Sequence, residues 1–275
     1  MKAIFLLYVS LASSLLLIGG SNTAHAQQLN LSQSINQAGL QRMLSQRMAK
    51  NYILLSQEID TQSAANELDE SSALFEENLF KLNASVSNTD SKLALKKLKQ
   101  SWYGFRQFVL SDANPQQTAQ VVHRSTLLLK SAHALVLSLE RSSRAQSDHL
   151  INVSGRQRML SQRLAMLYYA SHSGIEEKKF QQEMHKTSRQ FGQALTKLLA
   201  AKENNSEINE ALEEVNNQWS FYKTKFNGSN KGRFSPKTIK VVSESLLKEM
   251  NRITKLYEIE SMAQAKYSTW IKPAN

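Results

Sequence analysis

A long internal repeat constrains this chain more than any other feature. Ile35-Asn36-Gln37-Ala38-Gly39-Leu40-Gln41-Arg42-Met43-Leu44-Ser45-Gln46-Arg47-Met48-Ala49 recurs as Ile151-Asn152-Val153-Ser154-Gly155-Arg156-Gln157-Arg158-Met159-Leu160-Ser161-Gln162-Arg163-Leu164-Ala165, an offset of 116. The correspondence continues beyond this segment. Phe75, Leu79 and Leu82 match Phe191, Leu195 and Leu198, Trp102 matches Trp219, and Leu128-Leu129-Lys130 matches Leu246-Leu247-Lys248. Self-similarity on this scale is a duplicated domain, so any fold proposed for one half must serve the other.

Each half reads as four helices. Nine Gly and three Pro in 275 residues are too few for a strand-rich fold with its many turns. In the first half the helical pattern covers 29–61, 62–82, 89–110 and 115–147. In the second it covers 148–173, 175–201, 206–226 and 236–267, with a Gly- and Asn-rich break at 227–232. Val121, Val122, Leu128, Leu129, Ala132, Leu135, Val136 and Leu139 show the 3-4 spacing of a buried stripe. Trp102, Tyr103, Phe105 and Phe108, with Trp219, Phe221, Tyr222 and Phe226, recur in the third helix of each half and read as core. The expected fold is all-α: two tandem antiparallel four-helix bundles related by duplication, over 27–147 and 148–275. No Gly or Pro lies between Gln116 and Ser154. One continuous helix there stacks the bundles end to end. A break near Ser142-Ser143 or Ser147-Asp148, with Asp148 as cap, lets them fold side by side, and the break is the expectation.

Composition bounds the setting. Lys2, the apolar run 3–20 and Ala24-His25-Ala26 form the n-region, h-region and cleavage site of a signal peptide over 1–26, which predicts a periplasmic product; a retained membrane anchor is the alternative. With no cysteine there is no disulfide, thiolate metal site or Cys nucleophile. A net charge of +11 on an exported chain points to anions or membrane surfaces rather than nucleic acid. His123, His133, His149, His172 and His185 show no metal-ligand spacing, and no nucleophile–base arrangement or nucleotide motif stands out. The expectation is a non-enzyme without a cofactor.

The repeated arginines carry the functional argument. On a helix, Arg42 shares its face with Ala38, Ser45 and Ala49, and Arg158 shares its face with Ser154, Ser161 and Ala165. Gly39 and Gly155 stand three residues before them. Small side chains let a second helix approach closely, leaving the guanidinium in a narrow dehydrated gap where it needs a partner. No acid occurs from Gln27 to Gln57 or from His149 to Ile175. A planar oxyanion held by one arginine from each helix satisfies both. Arg47 and Arg163 lie about 140° further round and serve another purpose. The competing reading pairs the arginines with acids of a neighbouring helix, such as Glu58, Glu67, Glu70 or Glu76.

These two segments resemble the first-helix motif of PilJ/NarX-like sensor domains, found in type IV pilus chemotaxis transducers and nitrate/nitrite sensor kinases. Asn36, Gly39, Arg42-Met43 and Arg47 fit the motif, as do Asn152, Gly155, Arg158-Met159 and Arg163. The resemblance implies an extracytoplasmic four-helix bundle. In the nitrate sensors two subunits pair and the arginine of each Arg-Met holds one nitrate between the first helices. Carried over, that role falls on Arg42 and Arg158. Arg47 and Arg163 are secondary candidates, and Gly39, Gly155, Ser45 and Ser161 serve close helix packing. Duplication places a dimer-like site within one chain, although a homodimer is compatible. The family's receptors continue into a membrane helix and signalling modules that this sequence does not show, so a receptor or sensor-kinase partner is expected. Arg156, opposite Leu40, makes the halves unequal. The first functional reading is thus a nitrate- or nitrite-binding sensory module. The second is a ligand-free scaffold that docks on a membrane receptor, pilus or envelope component.

Overall fold

The computed structural model describes residues 28–143, 145–226 and 234–270; the signal-peptide segment and the break at 227–232 lie outside the described residues. All regular structure among these residues is helical: α1 Leu31–Ser56, α2 Thr61–Ser85, α3 Thr89–Val109, α4 Thr118–Glu140, α5 Gln146–Ala170, α6 Glu177–Leu199, α7 Ser206–Phe226 and α8 Pro236–Trp270. A single 3-10 turn, Pro115–Gln117, leads into α4. The all-α expectation and the four-plus-four order hold. None of these helices is long and apolar enough to cross a membrane.

Local chemistry sets the helix ends. Asn30 and Gln33 form a reciprocal capping box that starts α1, and the Asn88 side chain accepts from Ser91 N at 2.8 Å to start α3. The α1–α2 and α5–α6 turns share one left-handed pattern, with Asp60 at φ 47° and Glu176 at φ 48°. Just before them, Gly174 takes φ 78° freely, whereas Glu58 holds φ 56° at a cost of about 1 kcal/mol.

The halves pack by the same contacts. Phe75 stacks on Trp102 with ring centroids 4.2 Å apart, and Phe191 meets Trp219 at 4.4 Å. Gln41 Nε2 donates to the Phe75 carbonyl at 3.0 Å, and Gln157 Nε2 to the Phe191 carbonyl at 2.9 Å. Each bond fixes the first helix of a bundle against its second. The aromatic stripe is only partly core. Trp102, Phe105, Trp219 and Phe226 are buried, but Tyr103 and Phe221 stand in solvent. They follow each tryptophan by one and two positions, which rotates them about 100° and 200° around the helix, off the buried face.

The junction corrects the expected extent of the fourth helix. α4 ends at Glu140, not at Ser147, and α5 starts at Gln146 after a turn. Asp148 does not cap α5; the N-cap is Ala145, without a side-chain bond. The Asp148 carboxylate instead accepts hydroxyls from Ser32 at 2.6 Å, Ser261 at 2.7 Å and Ser143 at 2.5 Å. Three hydroxyls from three parts of the chain turn this carboxylate away from the helix terminus, and they tie α1, α8 and the turn to α5.

With the chain broken there, α5 lies alongside α1. Their cross-contacts join Ser32 to Asp148, Asn36 to Arg158, Arg42 to Asn152 and Gln46 to Arg163. Every pair differs by close to the repeat offset, so the two helices run parallel and in the register of the duplication. A pseudo-twofold axis therefore runs between them. α4 covers α1, α8 covers α5, and each also touches the opposite first helix. This leaves two related flanks, one formed by α4, α5 and α6 and the other by α8, α1 and α2.

The arginine pair and its flanks

Arg42 and Arg158 meet at this axis. Both are almost fully buried, with 1% and 3% of their surface accessible. Arg42 donates from Nη1 to Asn152 Oδ1 at 2.8 Å and from Nη2 to the Asn152 carbonyl at 3.1 Å. Arg158 repeats this on Asn36, with Nη2 at 2.7 Å from Oδ1 and 3.3 Å from the carbonyl. Each arginine thus reaches across to the asparagine of the other copy.

The glycines make the approach possible. A Cβ on Gly39 would lie 3.3 Å from the Nη2 of both arginines, and one on Gly155 would lie 3.0 Å and 3.4 Å from them. Both guanidinium tips therefore converge over the same two backbone positions. Ser45 and Ser161 are buried beside them, their hydroxyls turned back on the Arg42 and Arg158 carbonyls.

Acids compensate the pair only at one remove. Asn152 Nδ2 donates to Glu140 at 2.6 Å, and Asn36 Nδ2 to Glu258 at 2.5 Å. These glutamates occupy equivalent positions in the repeat: Glu140 is the last residue of α4, while α8 runs on past Glu258 to Trp270. Of the neighbouring-helix acids expected to pair with the arginines, Glu67 does meet Arg47 at 3.4 Å, but none of Glu58, Glu67, Glu70 or Glu76 bonds Arg42, where the asparagine relay stands instead. The relay was hidden because its glutamates lie on the fourth helices, far from the motif in sequence. The one available clue was that Glu140 and Glu258 recur at the same spacing as Leu128 and Leu246.

Burial lowers the Arg42 pKa to about 9, with the charges of Arg158 and Arg156 adding to it and Glu140 opposing. Burial lowers Arg158 to about 10 against Glu258. Both stay charged at neutral pH, so two like charges share a dry seam. Each Nε is also buried without a hydrogen-bond partner. An unpaired buried charged donor costs more than the neutral case, about 2 kcal/mol or above. The seam therefore carries buried positive charge that no directly bonded carboxylate among the described residues offsets.

The flanks differ. Arg42 Nη1 lies 3.4 Å from His133 Nδ1, whereas Arg158 Nη1 donates to Asn251 Oδ1 at 3.2 Å, from the matching position on α8. Burial, then Arg42 and Arg156, push the His133 imidazole below its usual 6.5. Arg47 pairs with Glu244 at 3.1 Å and Glu67 at 3.4 Å, beside the fully buried Lys50, which meets the same two acids. Burial favours the protonated form of Glu67, but Lys50 and Arg47 outweigh it and hold the carboxyl at about 2. Arg163 instead bonds Gln46 Oε1 at 2.9 Å and reaches Glu183 only at 3.5 Å. Neither Arg47 nor Arg163 joins the central pair.

Among the described residues no group of three His, Asp or Glu side chains is placed to hold a metal ion. A family of N-terminal domains of type IV pili methyl-accepting chemotaxis transducers, PilJ, matches the chain twice, over residues 24–126 and 141–254. No curated protein and no solved structure matches it significantly.

Proposed function

The chain belongs to the PilJ family of chemotaxis-transducer N-terminal domains, a family of sensory modules rather than enzymes, and on that premise we propose that it is a small-anion sensor whose ligand sits between Arg42 and Arg158. Nitrate or nitrite is the preferred ligand. One observation carries the reading: two buried guanidiniums of a duplicated motif converge across the pseudo-twofold axis, and among the described residues each is bonded to asparagines rather than to a carboxylate. A planar anion accepting from both tips, and from the free Nε donors after a small rotation of each fork, removes the repulsion and the unpaired donors together. Binding favours whichever packing of α1 against α5 best closes on the anion, and that shift is the signal. The module passes it to a membrane receptor or sensor kinase. A cleaved leader over 1–26 delivers it to the periplasm.

The ligand-free scaffold reading draws support from Asn36 and Asn152, each of which already accepts two η N–H bonds of the arginine opposite. Isothermal titration of the chain with nitrate, nitrite and chloride separates the two. The sensor reading expects saturable nitrate or nitrite heat that weakens at least about 100-fold in Arg42→Met and in Arg158→Met, both still helical. No heat with any of the three anions leaves the scaffold reading.

A further inference from the structure

The flank formed by α4, α5 and α6 holds a cavity of about 230 Å³ that the central pair does not explain. Arg42 lines its depth and Arg158 does not. Around Arg42 stand His133, Arg163 and, exposed at the rim, Lys130, Arg156 and Lys186. Glu183 is the single acid of the lining. Leu129, Met159 and Leu160 supply apolar wall.

The duplication provides an internal control for this flank. Superposing the repeats places Leu40 where Arg156 stands, Glu70 where Lys186 stands, Asn251 where His133 stands and Glu244 where Thr126 stands. At the second flank, Glu244 spans Arg47 and Lys50, and Lys240 joins Glu67 and Asp60 in the same network. Those three cations are matched by acids, although Lys248, the counterpart of Lys130, forms no ion pair among the described residues. At the first flank Lys130, Arg156 and Lys186 form no ion pair among the described residues, and the Arg42 Nε is buried without a hydrogen-bond partner among them at its inner end. Structural demands alone would treat the two flanks alike, yet the extra cations of the second, Lys50 and Lys240, are paired with acids, whereas the extra cations of the first, Arg156 and Lys186, stand unpaired among the described residues around an open volume.

We infer that the cavity between α4, α5 and α6 is a second ligand site, for a small organic dicarboxylate. One carboxylate meets Arg42 at the buried end, the methylene chain lies along Leu129, Met159 and Leu160, and the other carboxylate meets Arg156 and Lys186 at the rim. A single inorganic anion satisfies only one end, and a monocarboxylate leaves the rim cations unmatched. The site does not depend on nitrate binding at the axis, although the two ligands share Arg42 and so compete.

Calorimetric titration of the full chain with the straight-chain dicarboxylates from oxalate to adipate, and with butyrate, tests this. At least one intermediate length should bind saturably and about tenfold or more above butyrate, since charge-assisted pairs at both ends add affinity. Arg156→Leu/Lys186→Glu, which copies the second flank at two exposed positions, should weaken that diacid about tenfold or more and leave nitrate heat in place. Arg158→Met should do the reverse. No saturable binding by any diacid, or binding untouched by the rim double variant, overturns the inference. A diacid lost together with nitrate in Arg158→Met, with the rim variant silent, places it at the axis and overturns the second site.

Discussion

The two flanks of the pseudo-twofold axis began from one sequence and now solve the same problem differently. On the α8–α1–α2 side, Arg47, Lys50 and Lys240 are held by Glu67, Glu244 and Asp60 in a continuous ion network. On the α4–α5–α6 side, Met166 replaces Lys50, Thr126 replaces Glu244, and Arg163 is left with neutral oxygens and one long contact to Glu183. The central seam between them has changed least: Arg42–Asn152–Glu140 mirrors Arg158–Asn36–Glu258. One flank holds the halves together through this network, the other is open, and the arginine pair between them keeps the symmetry of the repeat.

The largest difference should appear in stability. Glu67→Gln removes a partner from three cations, one of them fully buried, and should cost about 3 kcal/mol in denaturant melts. Its counterpart Glu183→Gln loses one long, partly exposed contact and should cost under about 0.5 kcal/mol. Equal losses would break the comparison. Because Glu67 is depressed to about 2 from 4.5, its contribution is full above pH 4.5 and is lost as pH falls toward 2. An acid titration of Glu67→Gln should therefore lack that portion of the unfolding curve.

Next come the glycines. Gly155→Ala drives a methyl to 3.0 Å from Arg158 Nη2, while Gly39→Ala meets both tips at a looser 3.3 Å. Alanine also gains up to about 1 kcal/mol of helix propensity, so melting temperatures should hardly move. Anion affinity should fall about tenfold in Gly155→Ala and less in Gly39→Ala, as each displaces the forks by a few tenths of an ångström. Unchanged affinity in both would show that ligands do not approach the glycine side of the pair.

The smallest effect concerns pH. A depressed His133 means the folded chain resists protonation that the unfolded chain accepts near 6.5. Its stabilising contribution is therefore full above 6.5 and declines as pH drops below it. An anion at Arg42 offsets the repulsion, so anion affinity should rise modestly, two- to fivefold or roughly so, from pH 7.5 to 5.5. His133→Asn, which copies Asn251, should flatten both trends. A persistent slope would assign the proton elsewhere.

The helices were legible because their signals are local: few breakers, capping residues such as Asn30 and Asn88, and apolar stripes. The burial of Arg42 and Arg158 was legible from the small residues around them. What sequence could not supply was long-range partnership. The parallel register of α1 and α5 follows from a short turn stabilised by Ser32 and Ser261 on Asp148, contacts more than 110 positions apart. The glutamates behind the arginines sit on other helices, α4 and α8, and His133, dismissed as a ligand for want of metal spacing, matters for its place beside Arg42. Lys50 was unremarkable in sequence because its partners come from α2 and α8.

The central claim is that duplication has turned a two-subunit anion site into one complete within a single chain. Equilibrium dialysis with nitrate, with the oligomeric state fixed in the same sample by light scattering, tests it most directly. One anion bound per monomeric chain, and none in Arg42→Met/Arg158→Met, is the expected result. One anion per two chains in a dimer, or none bound to folded monomer, would contradict it.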